Sequence, residues 1–424
     1  MGRIPLKIKI NKTADNIVML YIMNISQIVL PLIVLPYLAR VLSISSYGVV
    51  SYVKSIMVYS TLVIQFGFLL SGTKEVVEEK DNKEKLEKII GKITQAKLIL
   101  SIPAFIVLLI LIIAIKILRK NAVFTILMFI PSFLDIFIFE YLFRGLEKMN
   151  IVTMRYLISK SASVLCTFLF IKNDSQLLLI PIFDILGSCL AIIWTYQEFK
   201  KLKLKIKWEK LDKVFFAIRE SSLYFFSDIS STAFNALNTV CIGIFLSAKD
   251  VAFWGLILQF IMAVDGLYRP LKDGVYPEMI RTRNLKILFK VVIIFLPVVL
   301  IGCLITYFGS YWILYIIGGK KYTAAAFLMK SSVLLLFMLF LNALSGWPLL
   351  GSIGKIKEVT YSTIIGSITQ VIGIGLLIIT NAIGLLTIMW LRTFSEFIIL
   401  VIRVYYFFKY KDYYSEKVLK GGIV

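Results

Sequence analysis

Twelve apolar stretches follow one another along the chain, near positions 16–39, 48–71, 94–116, 122–143, 151–171, 177–198, 221–246, 251–268, 285–308, 323–349, 359–379 and 382–406. At a rise of about 1.5 Å per residue, each is long enough to cross ~30 Å of hydrocarbon as a helix. None alternates apolar and polar positions as a barrel strand would, and an isolated strand would leave its amides unpaired in lipid. The pattern therefore predicts an all-α polytopic membrane protein of about twelve transmembrane helices. The first stretch follows Arg3, Lys7, Lys9 and Lys12. It is too long for a signal-peptide core and lacks an A-x-A cleavage site, so it reads as helix one.

Composition narrows the function classes. Hydrophobic residues make up 59% of the 424, and charged residues 17%, against ~25% in a soluble domain. Mean hydropathy is +0.87. A water-soluble enzyme or binding domain cannot hide that much apolar surface, and too few polar residues remain for a large extramembranous domain. There is no histidine, which removes the usual proton switch, metal ligand and general base. Cys166, Cys189, Cys241 and Cys303 lie inside apolar runs without a C-x-x-C and read as buried, inert thiols. No cofactor or metal is expected.

The net charge of +22 carries its information in its placement. With both termini cytoplasmic, 36 of the 47 Lys and Arg residues fall on inner segments and eight on outer ones. That asymmetry supports twelve spans with both ends inside. It also matches anionic inner-leaflet lipid as a partner and leaves no need for nucleic acid.

Outer connections at 40–47, 117–121, 172–176, 247–250 and 380–381 are little more than turns, and 310–322 is the one moderate loop. Two inner segments carry the i, i+3, i+4, i+7 spacing of amphipathic helices lying at the headgroups: Leu86, Ile89, Ile90 and Ile93, and then Leu211, Val214, Phe215 and Ile218 after Trp208. The second divides the chain into an N-terminal six-helix bundle (1–204), a cytoplasmic amphipathic linker (205–220) and a C-terminal six-helix bundle (221–424). A faint repeat agrees: Leu42-Ser43 before Tyr47-Gly48 is echoed 204 residues later by Leu246-Ser247 before Val251-Ala252. Two six-helix halves are a common transporter plan.

Ionisable residues within spans are the functional clue, because a charge at a helix centre costs ~2.5–3.5 kcal/mol and must face water or a partner. The basic ones are Lys54, Lys330 and Arg392, with Arg40 at the outer end of helix one. The acidic ones are Asp135, Glu140, Asp184, Asp228, Asp265 and Glu396. Arg392–Glu396 and Asp265–Arg269 are i, i+4 pairs sharing a helix face. Each acid has a plainer reading beside a role in ion coupling: an ion pair within a helix, or a bond between helices. Pro31 and Pro36 are hinge candidates in helix one, with a static kink as the alternative. Gly351-Ser352-Ile353-Gly354-Lys355 lacks the spacing and hydroxyl of a phosphate-binding loop, so ATP hydrolysis is not expected.

Several stretches together resemble a known family. Asn16…Tyr21…Asn24…Pro31…Pro36-Tyr37-Leu38-Ala39-Arg40-Val41-Leu42…Tyr47-Gly48 is similar to the opening of Wzx-type polysaccharide repeat-unit flippases, of the multidrug/oligosaccharidyl-lipid/polysaccharide exporter superfamily. Asp135-Ile136-Phe137…Glu140 through Lys148 resembles the end of that family's fourth helix, although Tyr141 and Arg144 stand where Trp and Gln are frequent. Arg155…Lys160, Gly318…Tyr322, Gly354-Lys355-Ile356-Lys357-Glu358 and Arg392…Glu396…Arg403 follow in order. The resemblance implies two six-helix bundles forming a V-shaped alternating-access transporter in a bacterial inner membrane. It further implies a cargo of undecaprenyl-diphosphate-linked glycan for O-antigen, capsule or exopolysaccharide, with a polysaccharide polymerase and chain-length regulator as partners. On that reading Lys54, Lys330, Arg392 and Arg40 would make an electropositive lumen for the diphosphate, and Asp135, Glu140 or Asp184 would carry a coupling ion. The competing expectations are a drug/cation antiporter of the same superfamily and a membrane-embedded glycan polymerase or transferase.

Overall fold

The computed structural model describes residues 6–229 and 234–414, and every regular element among them is helical. The chain divides into two compact units, Met1–Val240 and Cys241–Val424. Ten helices among the described residues are long and apolar enough to cross a membrane, which makes this a multi-pass membrane protein. The other two apolar runs of the sequence also lie on helix, at Met149–Phe170 and at Leu211–Asp228 with Phe234–Phe245. Lys7, Lys9 and Lys12 fall in the first helix, whereas Arg3 is outside the described residues.

In the first unit α1 (Leu6–Val41) continues through Pro31 and Pro36. Span two is broken. α2 (Ile44–Gln65) ends at Phe66, and α3 (Phe68–Glu78) resumes after Gly67; both joint residues are left-handed, at φ 42° and 74°. α4 (Lys83–Ala114) and the short outer α5 (Lys116–Lys120) follow. Span four is broken as well: α6 (Ala122–Leu134) passes into a 3₁₀ turn at Asp135–Ile138, and α7 (Glu140–Gly145) starts beyond Phe139 at φ 48°. The two broken spans meet where α3 packs on α7. α8 (Met149–Phe170) and α9 (Leu179–Lys201) pack along their lengths, and α1 packs on α8. α10 (Leu211–Asp228) lies on α3 and α4. α11 (Phe234–Phe245) spans the division between the units.

One expectation needs correction here. Residues 86–93 are not a separate interfacial helix: α4 is one helix of 32 residues, about 48 Å long and so longer than the hydrocarbon it crosses. Leu86, Ile89, Ile90 and Ile93 bury themselves in a core with Phe139, Tyr141 and Val214. The amphipathic stripe is therefore a protein-packing face. α10 buries Val214 and Ala217 and leaves Leu211 and Phe215 exposed.

The chain between α9 and α10 runs as a strap along α4. Lys207 N donates to Glu87 O at 3.2 Å. Gln95 Nε2 donates to Glu209 O at 3.0 Å, and Glu209 N donates back to Gln95 Oε1 at 2.8 Å. Gly91 permits this approach, since a Cβ there would overlap the Lys207 carbonyl. The Lys213 ammonium bonded to Glu209 at 2.8 Å holds that carboxyl below the usual carboxylate range.

In the second unit α12 (Ala248–Thr282) and α13 (Leu285–Gly318) are 35 and 34 residues long. Most of the predicted outer loop 310–322 is thus helix; its remainder enters a 3₁₀ turn at Lys320–Ala325. α14 (Ala326–Ser331) and α15 (Val333–Leu344) lead to a π-type turn, Ser345–Leu350, where Gly346 leaves helical geometry and Pro348 supplies no N–H. α16 (Ile356–Ile379) and α17 (Leu385–Lys409) pack together and complete the unit. The faint internal echo has a shared structural meaning: Ser43 caps the N-terminus of α2, and Ser247 caps that of α12. The thiols differ from expectation in two cases: Cys241 and Cys303 are buried, but Cys166 is half-buried and Cys189 is exposed.

Candidate functional site

A cavity of about 360 Å³ lies within the first unit. α1 contributes Pro31, α2 contributes Lys54, α6 contributes Ser132, α8 contributes Lys160 and Ser163, and α9 contributes Asp184. The structure thus brings together three residues singled out in the sequence, Pro31, Lys54 and Asp184. It adds Lys160, which lies inside the apolar run 151–171. Lys160 Nζ stands 3.8 Å from Asp184 Oδ1, and Ser163 Oγ donates to that same oxygen at 2.8 Å. Two ammonium groups and one carboxylate line the cavity, so it carries an excess positive charge. Any anion placed there would be held by charges that a low-dielectric surround screens poorly.

Asp135 and Glu140 occupy the break in span four. Gln65 bridges the two broken spans by a short chain: Lys97 Nζ donates to Gln65 Oε1 at 2.6 Å, and Gln65 Nε2 donates to Asp135 Oδ2 at 2.5 Å. Glu140 accepts from Arg144 at 2.6 Å and from Arg155 at 2.8 Å. Lys97 and Arg155 are buried. The network pins α2, α4, the turn before α7, α7 itself and α8 to one another. It gives charged and amide side chains gathered at the break partners among themselves, which apolar surroundings would otherwise penalise.

In the second unit Arg392 and Glu396 form the expected i, i+4 pair at 3.0 Å. Asn342 Nδ2 donates to Glu396 Oε2 at 2.8 Å. Arg403 donates to Asn342 O, Ser362 Oγ and Thr363 Oγ1 at 2.7, 3.0 and 3.2 Å. It therefore supplies hydrogen bonds beside the π-type turn, and Tyr414 OH adds one to Leu349 O at 2.7 Å. Lys330 is exposed, with its ammonium 5.6 Å from the Tyr307 ring centroid on α13. Asp265 and Arg269 share no salt bridge among the described residues. Arg40 is exposed in the last turn of α1, and Pro36 follows Pro31 within the same helix. Asp228 closes α10, but its side chain lies outside the described ones.

Lys97, Lys160, Arg155 and Arg403 are the residues that the sequence reading missed as site candidates. For Lys160 a signal was present, since it falls well inside the apolar run 151–171, whereas Lys97, Arg155 and Arg403 lie close to the end of a run.

The sequence profile of the polysaccharide biosynthesis protein family matches residues 13–283. A protein of Escherichia coli (strain K12) named "Putative O-antigen transporter" is 23% identical over 63% of this chain and 65% of its own length, so the chain spans just under two thirds of that relative. One of the same name from Shigella dysenteriae is 24% identical over 84% of this chain and 91% of its own length. Among solved structures, the lipid II flippase MurJ in an inward closed conformation has a TM-score of 0.68 at 16% identity, over 94% of this chain and 89% of that one. A multidrug resistance MATE family transporter of the MOP superfamily, inward-facing, has a TM-score of 0.65 at 13% identity, over 96% and 100%. At these identities the likeness is one of fold.

Proposed function

The chain belongs to the polysaccharide biosynthesis protein family, and from that premise we propose that it is a flippase. Its cargo is an undecaprenyl-diphosphate-linked oligosaccharide repeat unit, which it moves from the cytoplasmic to the outer leaflet of a bacterial inner membrane, with both termini cytoplasmic. Both curated relatives are named for transport, which favours translocation over catalysis.

The observation that carries the reading is the pair of ammonium groups, Lys54 and Lys160, lining one cavity with the single carboxylate of Asp184. A hydrated, positively charged site within the membrane suits a diphosphate, which bears at least two negative charges. The sugars travel in polar surroundings while the prenyl chain stays in lipid. A drug/cation antiporter would favour an excess of acid over base in such a cavity, the reverse of what is found here. Arg392, Lys330 and Arg40 remain proposed contributors to cargo binding, and Asp135, Glu140 and Asp184 proposed carriers of a coupling ion. The polymerase and chain-length regulator of the same polymer are its proposed partners.

Reconstitution tests this reading. In proteoliposomes the wild-type chain translocates a prenyl-diphosphate-linked oligosaccharide, and the Lys54→Gln/Lys160→Gln double variant at equal protein density does not. Full translocation by the double variant contradicts it.

A further inference from the structure

We propose that Asp184 is a built-in counter-anion, which neutralises Lys160 while the site is empty and gives that lysine up to a phosphate of the cargo when cargo arrives. The inference rests on the diphosphate reading above and assigns to one residue the competition that sets how tightly the cargo is held.

Three features carry it. The first is the length of the ion pair. A direct ammonium–carboxylate hydrogen bond is about 2.7–2.9 Å, whereas Lys160 Nζ and Asp184 Oδ1 stand at 3.8 Å. Asp184 is anchored instead by Ser163, which donates to that same oxygen at 2.8 Å. Lys160 therefore neutralises Asp184 without being committed to a short bond, and its side chain is 48% exposed. It can turn to another anion while Asp184 keeps its hydroxyl partner.

The second is the rigidity of the platform. Gly187 lies one turn beyond Asp184 on α9, and a Cβ there would come within 2.7 Å of the Ser159 carbonyl on α8. The two backbones meet closely beside the ion pair, so Asp184 is held at the cavity wall by its own helix. The mobile member is the long lysine side chain.

The third is charge. Two uncompensated ammonium groups in a cavity at membrane depth would be costly when empty, and one internal carboxylate offsets half of that charge. An arriving diphosphate needs both ammonium groups, and with Asp184 also present it meets a like charge at close range. Binding thus becomes an exchange of anions on Lys160. That exchange weakens the cargo's hold, and a carrier requires such weakening, because a site that grips too well does not release.

The test uses the full chain in lipid nanodiscs with farnesyl diphosphate as the probe. Wild type binds it. Asp184→Asn, which removes the charge and keeps the shape, binds about tenfold more tightly, the effect of deleting one close charge interaction, and translocates more slowly. Asp184→Ser, which keeps a hydroxyl for Ser163, gives the same tightening. Lys160→Gln weakens binding, and in the Lys160→Gln/Asp184→Asn pair most of the tightening is gone. A role for Asp184 confined to packing would not tighten binding. Wild-type binding with unchanged or weaker binding in both Asp184 variants overturns this inference alone. Failure of the wild type to bind the probe overturns the diphosphate reading and this inference with it.

Discussion

The ammonium of Lys160 and the carboxylate of Asp184 face each other at 3.8 Å across α8 and α9. Both line the cavity that also holds Lys54. Charged groups at membrane depth are tolerated only when they meet partners or water. This contact therefore ties a sequence signal, charge within apolar runs, to a cavity that several helices line with charged groups.

Glu140 is shared by Arg144 and Arg155, so Glu140→Gln leaves two guanidinium groups without their common carboxylate. The expected loss is about 1–3 kcal/mol of stability, less than for a fully buried pair because Glu140 and Arg144 are half-buried. Thermal unfolding in detergent checks it. A triple replacement of Glu140, Arg144 and Arg155 by apolar residues recovers part of the loss, because it leaves no charge stranded.

Gly91→Leu places a side chain where the Lys207 carbonyl now lies and lifts the strap from α4. Trypsin then cuts within Lys203–Lys213 about tenfold faster than in the wild type, as expected for a segment whose local opening has become easy. Cleavage after Lys320 or Lys321, in the other unit, serves as the control and is unchanged.

Arg403→Lys keeps the charge but cannot reach Asn342 O, Ser362 and Thr363 at once, since a single ammonium lacks the planar fork of a guanidinium. The expected cost is about 2–4 kcal/mol from acceptors left unmatched beside the π-type turn. It is read as a lower unfolding temperature with little change in initial membrane insertion.

Pro36→Ala restores a backbone donor to α1. If the two prolines let α1 bend during transport, turnover falls more than membrane yield. Equal loss of both, measured by transport rate against quantified protein, assigns Pro36 a static kink.

The apolar runs were legible because lipid, as a solvent, forces each crossing segment to be long, continuous and helical. Lys54 and Asp184 were legible because charge inside such a run has few harmless explanations. Lys97 and Arg403 were not: each sits at the edge of a run, where a count along the sequence assigns a cation to the cytoplasmic side. Lys97 is buried against Gln65 and the Tyr141 ring, beside the breaks at Phe66 and Phe139. Phe139 has neither Gly nor Pro beside it to announce a left-handed joint. Its conformation is held by the tertiary contacts of α3 with α7, and the Gln65 bridge exists only once both spans are broken. The stripe at 86–93 misled for a related reason, since an amphipathic pattern reports a half-buried face without saying whether lipid or protein covers it.

The central claim is that this chain carries glycan-loaded prenyl diphosphate across the membrane through a positively charged site. Deleting its gene and locating the lipid-linked glycan tests that claim most directly. The account predicts that the loaded carrier accumulates on the cytoplasmic side, that the wild-type gene clears it, and that Lys54→Gln/Lys160→Gln at equal membrane abundance does not. Absence of accumulation, or full clearance by the double variant, would contradict it.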